Sequence, residues 1–518
     1  MHRRDLLHLG VALGAGSITG SLGCAPAEQA LPPPVVGGGL PPEPIAKISY
    51  FSRFGVDERM IREALAAAMS RGGDFADVFF QHKVSRTMAL EDGEVNRAYA
   101  SVELGVGVRV VKGDQTGYGY TEELTIEALK KAAATAAAIA DGPSRPGPTA
   151  FHATPDLPSR YHLSRGWDQV APSEKLPLLV RLNQQTLSAD KRIKKVSTGI
   201  SDEHGAVLLA DSNGRLVEDL QPMTQLWLSC VAEQDGRRET NSYNVAGRDE
   251  LTFYSEERLS RVVREATRRT LVLFEAAAPP VGEMTVVMAA GSSGILLHEA
   301  IGHGMEADFN RKKTSIYADK IGKSIAKPFV SIVDDGGVAR ARGAINVDDE
   351  GNVAGQTLLV DKGVLATYLH DNISAKHYGV KPTGNGRRES FRFAPMPRMR
   401  ATYMLPGPHD KEEIVRSVKK GIYCEQFSNG QVKIGAGDFT FYVKNGFLIE
   451  DGKLTRPIKD VNIIGNGPRV LEKIDMVGKD LQIDEGGWTC GKDGQGVPVS
   501  QGLPTVRVAS ITVGGRKS

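Results

Sequence analysis

The chain has 518 residues, which is too long for one ordinary hydrophobic core and predicts two domains. Its 64 basic and 62 acidic residues nearly cancel and leave a formal net charge of +2. This balance does not indicate a polyanionic partner, so we do not expect nucleic acid to be a ligand.

The first 27 residues have the pattern of an export signal. Arg3 and Arg4 precede an apolar stretch from Leu6 to Gly23, which is typical of a twin-arginine signal. Two processing sites compete, namely lipidation at Cys24 and cleavage after Ala27. The sequence therefore predicts an exported protein of the periplasm or cell envelope, with or without a lipid anchor. No other run approaches the roughly 18 apolar residues of a membrane span.

Residues 28–48 are predicted to be a linker, because they are rich in proline and glycine and have no periodicity with which to bury a face. Residues 49–278 are expected to form an N-terminal domain of helices and an antiparallel sheet. Its helices are predicted from Asp57 to the Gly72-Gly73 pair and at Thr125–Ala140, Ser173–Ala189 and Ser255–Ala278. Its strands are predicted at Ala76–Gln81, Leu104–Val111 and Thr116–Thr121, and between Val196 and Ala232.

Four glycines in this sheet, Gly105, Gly107, Gly117 and Gly119, fall at period two. We expect them to leave one sheet face without side chains, so that another backbone can approach closely. Together with glycine-flanked strands of the C-terminal half, this face is predicted to form a cleft that binds extended peptides by strand addition.

The stretch Ala276–Pro280 is the predicted domain boundary, and residues 279–518 are expected to form a β-rich C-terminal domain. Its strands are predicted at Met284–Ala289, Phe329–Val333, Thr357–Val360, Phe439–Val443 and Asn445–Ile449, separated by glycine turns. A helix is predicted at Ile295–Ala307. The expected fold class is α+β, with this helix lying against the β-rich scaffold.

The predicted helix contains a pattern of metal-binding residues. His298 is followed directly by Glu299 and, five residues later, by His303. Two imidazoles suit zinc, and a neighbouring carboxylate can take a proton from a metal-bound water. Residues five apart in a regular α-helix point about 140° away from each other, but a π-bulge restores a common face. The spacing therefore predicts a metal-dependent hydrolase whose motif helix contains a π-bulge. Gly302 is expected to lower the energetic cost of this backbone distortion.

A catalytic zinc takes three protein ligands and a water, so the histidines need a third partner. Apart from Cys24, the cysteines are Cys230, Cys424 and Cys490. Cys490 lies in a glycine-rich segment that can bring a thiolate close to an ion, and a buried inert thiol is an equally open interpretation. Cys230 and Cys424 are expected to be either a disulfide or two core thiols.

Several long motifs resemble the TldD branch of the TldD/PmbA metallopeptidases. In chain order they are His298–Arg311, Thr383–Ser390, Pro395–Met399, Gly430–Val432 and Cys490–Val499. The likeness runs from about Arg53 to the end of the chain and is strongest from residue 284 onward.

This resemblance implies a zinc peptidase acting on short or unfolded peptides, with one zinc ion in each active subunit. His298, His303 and Cys490 match the family's metal ligands, and Glu299 matches its catalytic glutamate. The family pairs TldD with PmbA, which implies a dimer, either a homodimer or a heterodimer with a PmbA-like subunit. The family is usually cytoplasmic, and the predicted export signal departs from that.

A basic cluster follows the metal motif and consists of Arg387, Arg388, Arg392, Arg398 and Arg400. It is either a solvated or ion-paired surface or a clamp for a peptide carboxylate, which arginine binds bidentately. In the second interpretation Arg387 and Arg388 bind substrate. Two alternatives to a peptidase stay open: a non-enzymatic regulatory or binding subunit, in line with the family's older gyrase-modulator label, and a metal-dependent amidase of another bond.

Overall fold

A computed structural model describes residues 48–154, 157–161 and 163–515 of the chain. The predicted export signal, Cys24 and all but the last residue of the predicted linker lie outside these ranges. Within them, no helix is both long enough and apolar enough to cross a membrane. The described residues combine helices with largely antiparallel sheets, which confirms the predicted α+β class.

Most of the helices described in the N-terminal half begin at a residue whose side chain caps them. They are α1 (Glu58–Ala68), α2 (Ile126–Ala137), α3 (Pro172–Ala189) and α4 (Glu256–Leu271). The side chains of Asp57, Thr125 and Ser255 accept hydrogen bonds from backbone N–H groups in the first turns of α1, α2 and α4. All four predicted helices are confirmed, although α2 and α4 end earlier than expected.

The N-terminal sheet consists of long antiparallel hairpins. Its strands are β1 (Phe75–Glu91), β2 (Glu94–Lys112), β3 (Gln115–Thr121), β4 (His152–Ala153), β5 (Ile193–Asp211), β6 (Arg215–Gln234) and β7 (Arg237–Gly247). Their order is β3-β2-β1-β5-β6-β4, with β7 beside β6. The strands β1 and β2 run further than predicted, because the two-residue turn Asp92-Gly93 has positive φ at both positions and continues the ladder.

The predicted bare glycine face is wrong, because the glycines lie on opposite faces of the sheet. Gly119 pairs with Val108, the neighbour of Gly107, so the glycines of β2 and β3 point to different sides. On one side, a Cβ added to Gly105 would lie 2.3 Å from the Phe391 ring. On the other side, a Cβ added to Gly119 would lie 2.3 Å from a backbone oxygen of α2. Both faces are therefore covered by the chain itself and offer no surface for a substrate.

The helices cover the sheet in separate apolar cores. At one end α1 and α2 pack with side chains of β1 and β2 such as Phe80 and Val108. At the other end α3 and α4 pack with β5 and β6, and Leu226 and Val262 are buried there. A third and larger cluster lies in the C-terminal half and surrounds the predicted metal motif.

The C-terminal half is rich in strands, as predicted. They are β8 (Gly282–Met288), β9 (Ile332–Asp335), β10 (Gln356–Asp361), β11 (Val364–Leu365), β12 (Gly386–Arg387), β13 (Met396–Pro397), β14 (Ala401–Met404), β15 (Lys420–Lys433), β16 (Asp438–Glu450), β17 (Lys453–Asn466), β18 (Ile474–Val477), β19 (Gln482–Ile483), β20 (Thr489–Lys492), β21 (Gln495–Pro498), β22 (Ser500–Leu503) and β23 (Val506–Gly515). Its helices are short: α5 (Ile295–Leu297), α6 (Ala307–Arg311), α7 (Asn372–Tyr378), α8 (Lys411–Arg416) and α9 (Gly467–Lys473).

Five of these strands pair in a closed ring, in the order β8, β15, β16, β17 and β23. A second sheet has the order β11-β10-β9-β14-β22-β19, and β20 and β21 form a separate hairpin. The two strands predicted at Phe439–Val443 and Asn445–Ile449 are one continuous strand, β16. The buried Asn445 side chain donates to the carbonyl oxygen of Arg269 in α4, which holds the chain extended where a turn was expected.

Candidate metal centre

The helix that follows β8 contains the distortion that the histidine spacing requires. After α5, His298–Gly302 forms a π-helical turn and His303–Met305 a 3-10 turn. The wider π turn takes up one residue more than an α turn, so both histidines lie on the same side of the helix. Their ring centroids are 4.9 Å apart and the ring planes are nearly perpendicular. The predicted π-bulge is confirmed.

Gly302 contributes space here and not an unusual backbone conformation. Its φ of −52° and ψ of −56° are ordinary helical values. A Cβ at this position would lie 1.9 Å from the sulfur of Met399, which is fully buried. The glycine therefore lets the motif helix pack directly against Met399, which differs from the role that the sequence predicts for it.

The hairpin of β20 and β21 brings Cys490 to the two histidines. Its turn consists of Asp493 and Gly494, both with positive φ, as a tight two-residue hairpin requires. The candidate ligand atoms of His298, His303 and Cys490 all lie within 4.8 Å of one another. The Cys490 sulfur is 3.7 Å from Nε2 of His303, and all three side chains are buried.

The donor atoms of this cluster suit a divalent cation. Burial acts to raise the pKa of the Cys490 thiol, but the charges of His298 and His303 outweigh it and hold that pKa well below its ordinary value. Nδ1 of His298 is buried without a hydrogen-bond partner among the described residues. Two imidazoles and a thiolate are a donor set that zinc binds well. The residues present therefore fit a zinc ion.

Glu299 lies beside this cluster and faces a cleft of about 600 Å³. Its side chain is 8% exposed, and its carboxylate has no hydrogen-bond partner among the residues that the structure describes. A Cβ on Gly430 of β15 would lie 3.1 Å from Cγ of Glu299, so the strand passes close to this side chain. A carboxylate in this position is free to accept a proton from water in the cleft.

Glu306 orients one of the histidines, and sequence reasoning missed this role. Its Oε2 lies 3.1 Å from Nδ1 of His303 and accepts a hydrogen bond from that nitrogen, so that Nε2 is the ring nitrogen on the side of Cys490. Burial acts to raise the pKa of Glu306, but the charges of Lys492 and His303 outweigh it and lower that pKa to about 2. The sequence could have indicated this contact, because Glu306 follows His303 by three residues and residues at this spacing lie side by side on a helix.

The structure does not support substrate binding by Arg387 and Arg388. Both side chains are buried and engaged by the chain. Arg387 donates to the carbonyl oxygens of Met399 and Pro498. Arg388 donates to Tyr118 and to the carbonyl oxygen of Asp349. Neither residue lines the cleft at Glu299, so both serve to hold the loops around the metal centre.

The other members of the basic cluster are held in a similar way. Arg400 is fully buried and pairs with Asp334 at 2.8 Å, whereas Arg392 is partly exposed and pairs with Glu122 at 2.7 Å. The ion-paired interpretation of the cluster therefore fits the structure, but most of its members are buried instead of lying on a surface.

The other two cysteines within the described residues are core thiols. Cys230 and Cys424 are both free and buried, and Cys230 contacts Thr270 of α4. The disulfide alternative is wrong.

A free strand edge borders the metal cleft. Gly421–Cys424 of β15 pair on both sides, with β8 and with β16. From Gln426 onward β15 pairs, among the strands that the structure describes, with β16 alone, and Ser428–Val432 line the cleft beside His298 and Glu299. The backbone of this segment is therefore available to an extended chain.

Three models of one family match the chain. They are described as PmbA/TldA metallopeptidase domain 1 at residues 76–140, the central domain at 165–274 and the C-terminal domain at 281–515. A metalloprotease TldD homolog of Haemophilus influenzae is 38% identical, over 86% of this chain and 94% of the relative. A second one, of Buchnera aphidicola subsp. Acyrthosiphon pisum, is 36% identical, over 89% of this chain and 96% of the relative.

Solved structures show the same fold. A putative modulator of a DNA gyrase from Thermotoga maritima has a TM-score of 0.70 at 21% identity and covers 88% of this chain and all of the neighbour. TldE from Thermococcus kodakarensis has a TM-score of 0.68 at 19% identity and covers 88% of this chain and 99% of the neighbour. At such identities the likeness concerns the fold alone.

These matches correct the predicted localisation. The relatives are TldD-type metalloproteases and a neighbour is a TldE protein, the class for which the sequence resemblance implies a cytoplasmic location. The prediction of an exported, periplasmic or envelope-attached protein is therefore wrong. It depended on an arginine pair and an apolar stretch, which are local patterns outside the described residues.

Proposed function

The chain belongs to the PmbA/TldD metallopeptidase family, and from this premise we propose that it is a zinc-dependent peptidase of the TldD type. One observation carries the proposal: His298, His303 and Cys490 converge in a buried cluster, and Glu299 faces the adjoining cleft without a protein partner among the described residues. The named relatives are metalloproteases, which supports hydrolysis of a peptide bond.

In this proposal the three ligand side chains hold one zinc ion. When bound, zinc supplies a Lewis acid that acidifies water and polarises a peptide carbonyl. Glu299 takes the proton of the attacking water and later passes it to the amine that leaves. Glu306 keeps the proton of neutral His303 on Nδ1, so that Nε2 points to the ligand cluster.

The free edge of β15 suggests how a substrate is held. An extended peptide can pair its backbone with Ser428–Val432, and main-chain hydrogen bonds then supply affinity whatever the sequence. A folded protein would first have to release a strand from its own sheet. We therefore expect cleavage of short or unfolded peptides with weak sequence preference. This is the strand-addition model predicted from the sequence, but with β15 in place of the glycine-rich strands.

Two further expectations belong to this proposal. Dimerisation, with a second copy or with a PmbA-like subunit, stays a prediction. The gyrase-modulator titles belong to the structural neighbours, and no described feature of this chain favours a regulatory role without catalysis. A metal-dependent amidase would use the same centre, so the choice of substrate has to distinguish it.

A comparison of one sequence in two states tests the proposal. A disordered peptide is offered to the purified protein, and the same sequence is offered as a buried strand of a folded domain. We expect zinc-dependent cleavage of the peptide, loss of activity with a chelator, recovery with added zinc, and no cleavage of the folded domain. Equal rates on both substrates would contradict the binding model, and the absence of peptide cleavage by zinc-loaded protein would contradict the proposed function.

A further inference from the structure

Four charged side chains meet beside the metal centre with almost no access to solvent. Glu306 and Arg398 are fully buried, Lys492 is 7% exposed and Asp308 is 9% exposed. The two acids follow the motif helix, whereas Lys492 lies in β20, two residues after Cys490. The group therefore joins the two segments that supply the candidate metal ligands.

Lys492 connects the cysteine strand to the second histidine. Its Nζ lies 2.8 Å from Oδ1 of Asp308 and 3.2 Å from Oε2 of Glu306. The same oxygen of Glu306 lies 3.1 Å from Nδ1 of His303. A continuous chain of polar contacts thus runs from β20 through Lys492 and Glu306 to a ligand histidine.

Arg398 holds the same hairpin by its backbone. One guanidinium nitrogen donates to the carbonyl oxygens of Cys490 and Gln495, which lie on the two strands of the hairpin. Its Nε lies 4.0 Å from Oε1 of Glu306. The strand that carries Cys490 is therefore held at two points. Arg398 binds the carbonyl group of Cys490, and the side chain of Lys492, two residues later, binds Asp308 and Glu306.

Lys492 borders the cleft, but its ammonium group is engaged by the chain. Nζ donates to Oδ1 of Asp308 and, at 3.1 Å, to the carbonyl oxygen of Pro397, and it forms an ion pair with Glu306. These contacts suit a structural role. A buried charge that loses its partner is strongly unfavourable, so the four groups stabilise one another in a single arrangement.

We propose that Lys492 is a positioning residue of the metal centre, which fixes His303 through Glu306 and fixes the strand of Cys490 so that the ligand atoms converge before a metal binds. The inference rests on the proposed function in one respect, namely that His298, His303 and Cys490 bind zinc. It adds that affinity for the metal depends on a lysine that never touches the metal.

The test measures metal binding and not peptidase activity. Lys492→Met keeps the aliphatic chain and removes the charge, and zinc affinity is measured by competition with a chelator. Loss of a residue that orients a metal ligand typically weakens metal binding about 10- to 100-fold, and we expect a fall in zinc affinity of this size. With cobalt in place of zinc, we also expect a weaker or shifted absorption band of the cobalt–thiolate bond.

Lys175→Met is the matched control. Lys175 forms an equally buried ion pair with Asp202 in the N-terminal half, far along the chain from the ligands. Its loss is expected to lower stability while zinc affinity stays within about twofold of wild type, because no ligand depends on it. If Lys492→Met does not fold, Lys492→Gln, which keeps a donor for Asp308, is measured by the same criteria.

Wild-type zinc affinity and an unchanged cobalt–thiolate band in the folded Lys492 variant would overturn the proposal. A similar loss of affinity in Lys175→Met would also overturn it, since the effect would then be general destabilisation. Failure of the proposed function looks different: the wild-type protein would bind zinc normally and still cleave no peptide.

Discussion

Replacing Gly430 by alanine places a methyl group between β15 and the candidate general base. The added Cβ would lie 2.7 Å from the ring of Phe441 and 3.1 Å from Cγ of Glu299. Phe441 is fully buried and pairs with Gly430 in the sheet, so it has little room to move. Glu299 faces the cleft and is therefore the side chain that gives way.

The expected effect follows from this displacement. Overpacking of this kind costs about 1–3 kcal/mol of stability. A misplacement of about 1 Å can cost about 10²-fold in rate, so a shift of a few tenths of an ångström in the general base should lower kcat by up to about 10-fold. The zinc content should not change, because the three atoms nearest to the methyl group belong to Phe441 and Glu299 and not to a candidate ligand.

Gly491→Ala is the control for this substitution. Gly491 lies in the same cleft next to Cys490, and a Cβ there would meet no atom within 4 Å. Steady-state kinetics on a disordered peptide and the metal content of both variants are compared with wild type. Wild-type kcat in Gly430→Ala would refute the reasoning, and so would a loss of zinc that accounts for its lower rate.

Three further predictions concern metal, pH and the buried arginines. Removing zinc should lower Tm, because a ligand present at about 1,000 times its Kd stabilises the fold by about 4 kcal/mol; an unchanged melting curve with a chelator would contradict the site. Burial lowers the pKa of His370 to about 4. The stability that neutral His370 contributes to the fold is therefore fully present above about pH 6.5 and is lost as the pH falls towards 4. The loss in the free energy of unfolding amounts to at most about 3 kcal/mol. Chemical denaturation across this range should show a smaller pH slope in His370→Gln. Arg387→Met should lower stability by about 1–3 kcal/mol for each carbonyl group left without its donor, with no change in KM for the folded protein.

Local patterns in the sequence predicted the elements that depend on neighbours along the chain. The spacing of His298 and His303 was enough to predict the π-helical turn, and the predicted starts of α1, α2 and α4 lie at the residues that cap these helices in the structure. Such features depend on a few residues and one backbone geometry, so a single sequence shows them.

Features that depend on distant parts of the chain were mispredicted or missed. The register of β2 with β3 decides on which face of the sheet Gly105 and Gly119 lie. The spacing of the glycines in the sequence does not reveal that register. The burial of Arg387 depends on carbonyl groups at Met399 and Pro498, which come from different segments. The edge of β15 is free because the pairing of β8 with β15 ends at Cys424. No local sequence pattern predicts where that pairing ends.

In the proposed mechanism, Glu299 acts on water while other residues hold the metal. The most direct measurement is the zinc content and the hydrolysis rate of Glu299→Ala beside wild type, on one disordered peptide. We expect one zinc per chain in both proteins and a rate in the variant lower by about 10²- to 10⁴-fold. Wild-type turnover by the zinc-loaded variant would contradict the role of Glu299 as the base, and loss of zinc from the variant would show that Glu299 is needed to hold the metal.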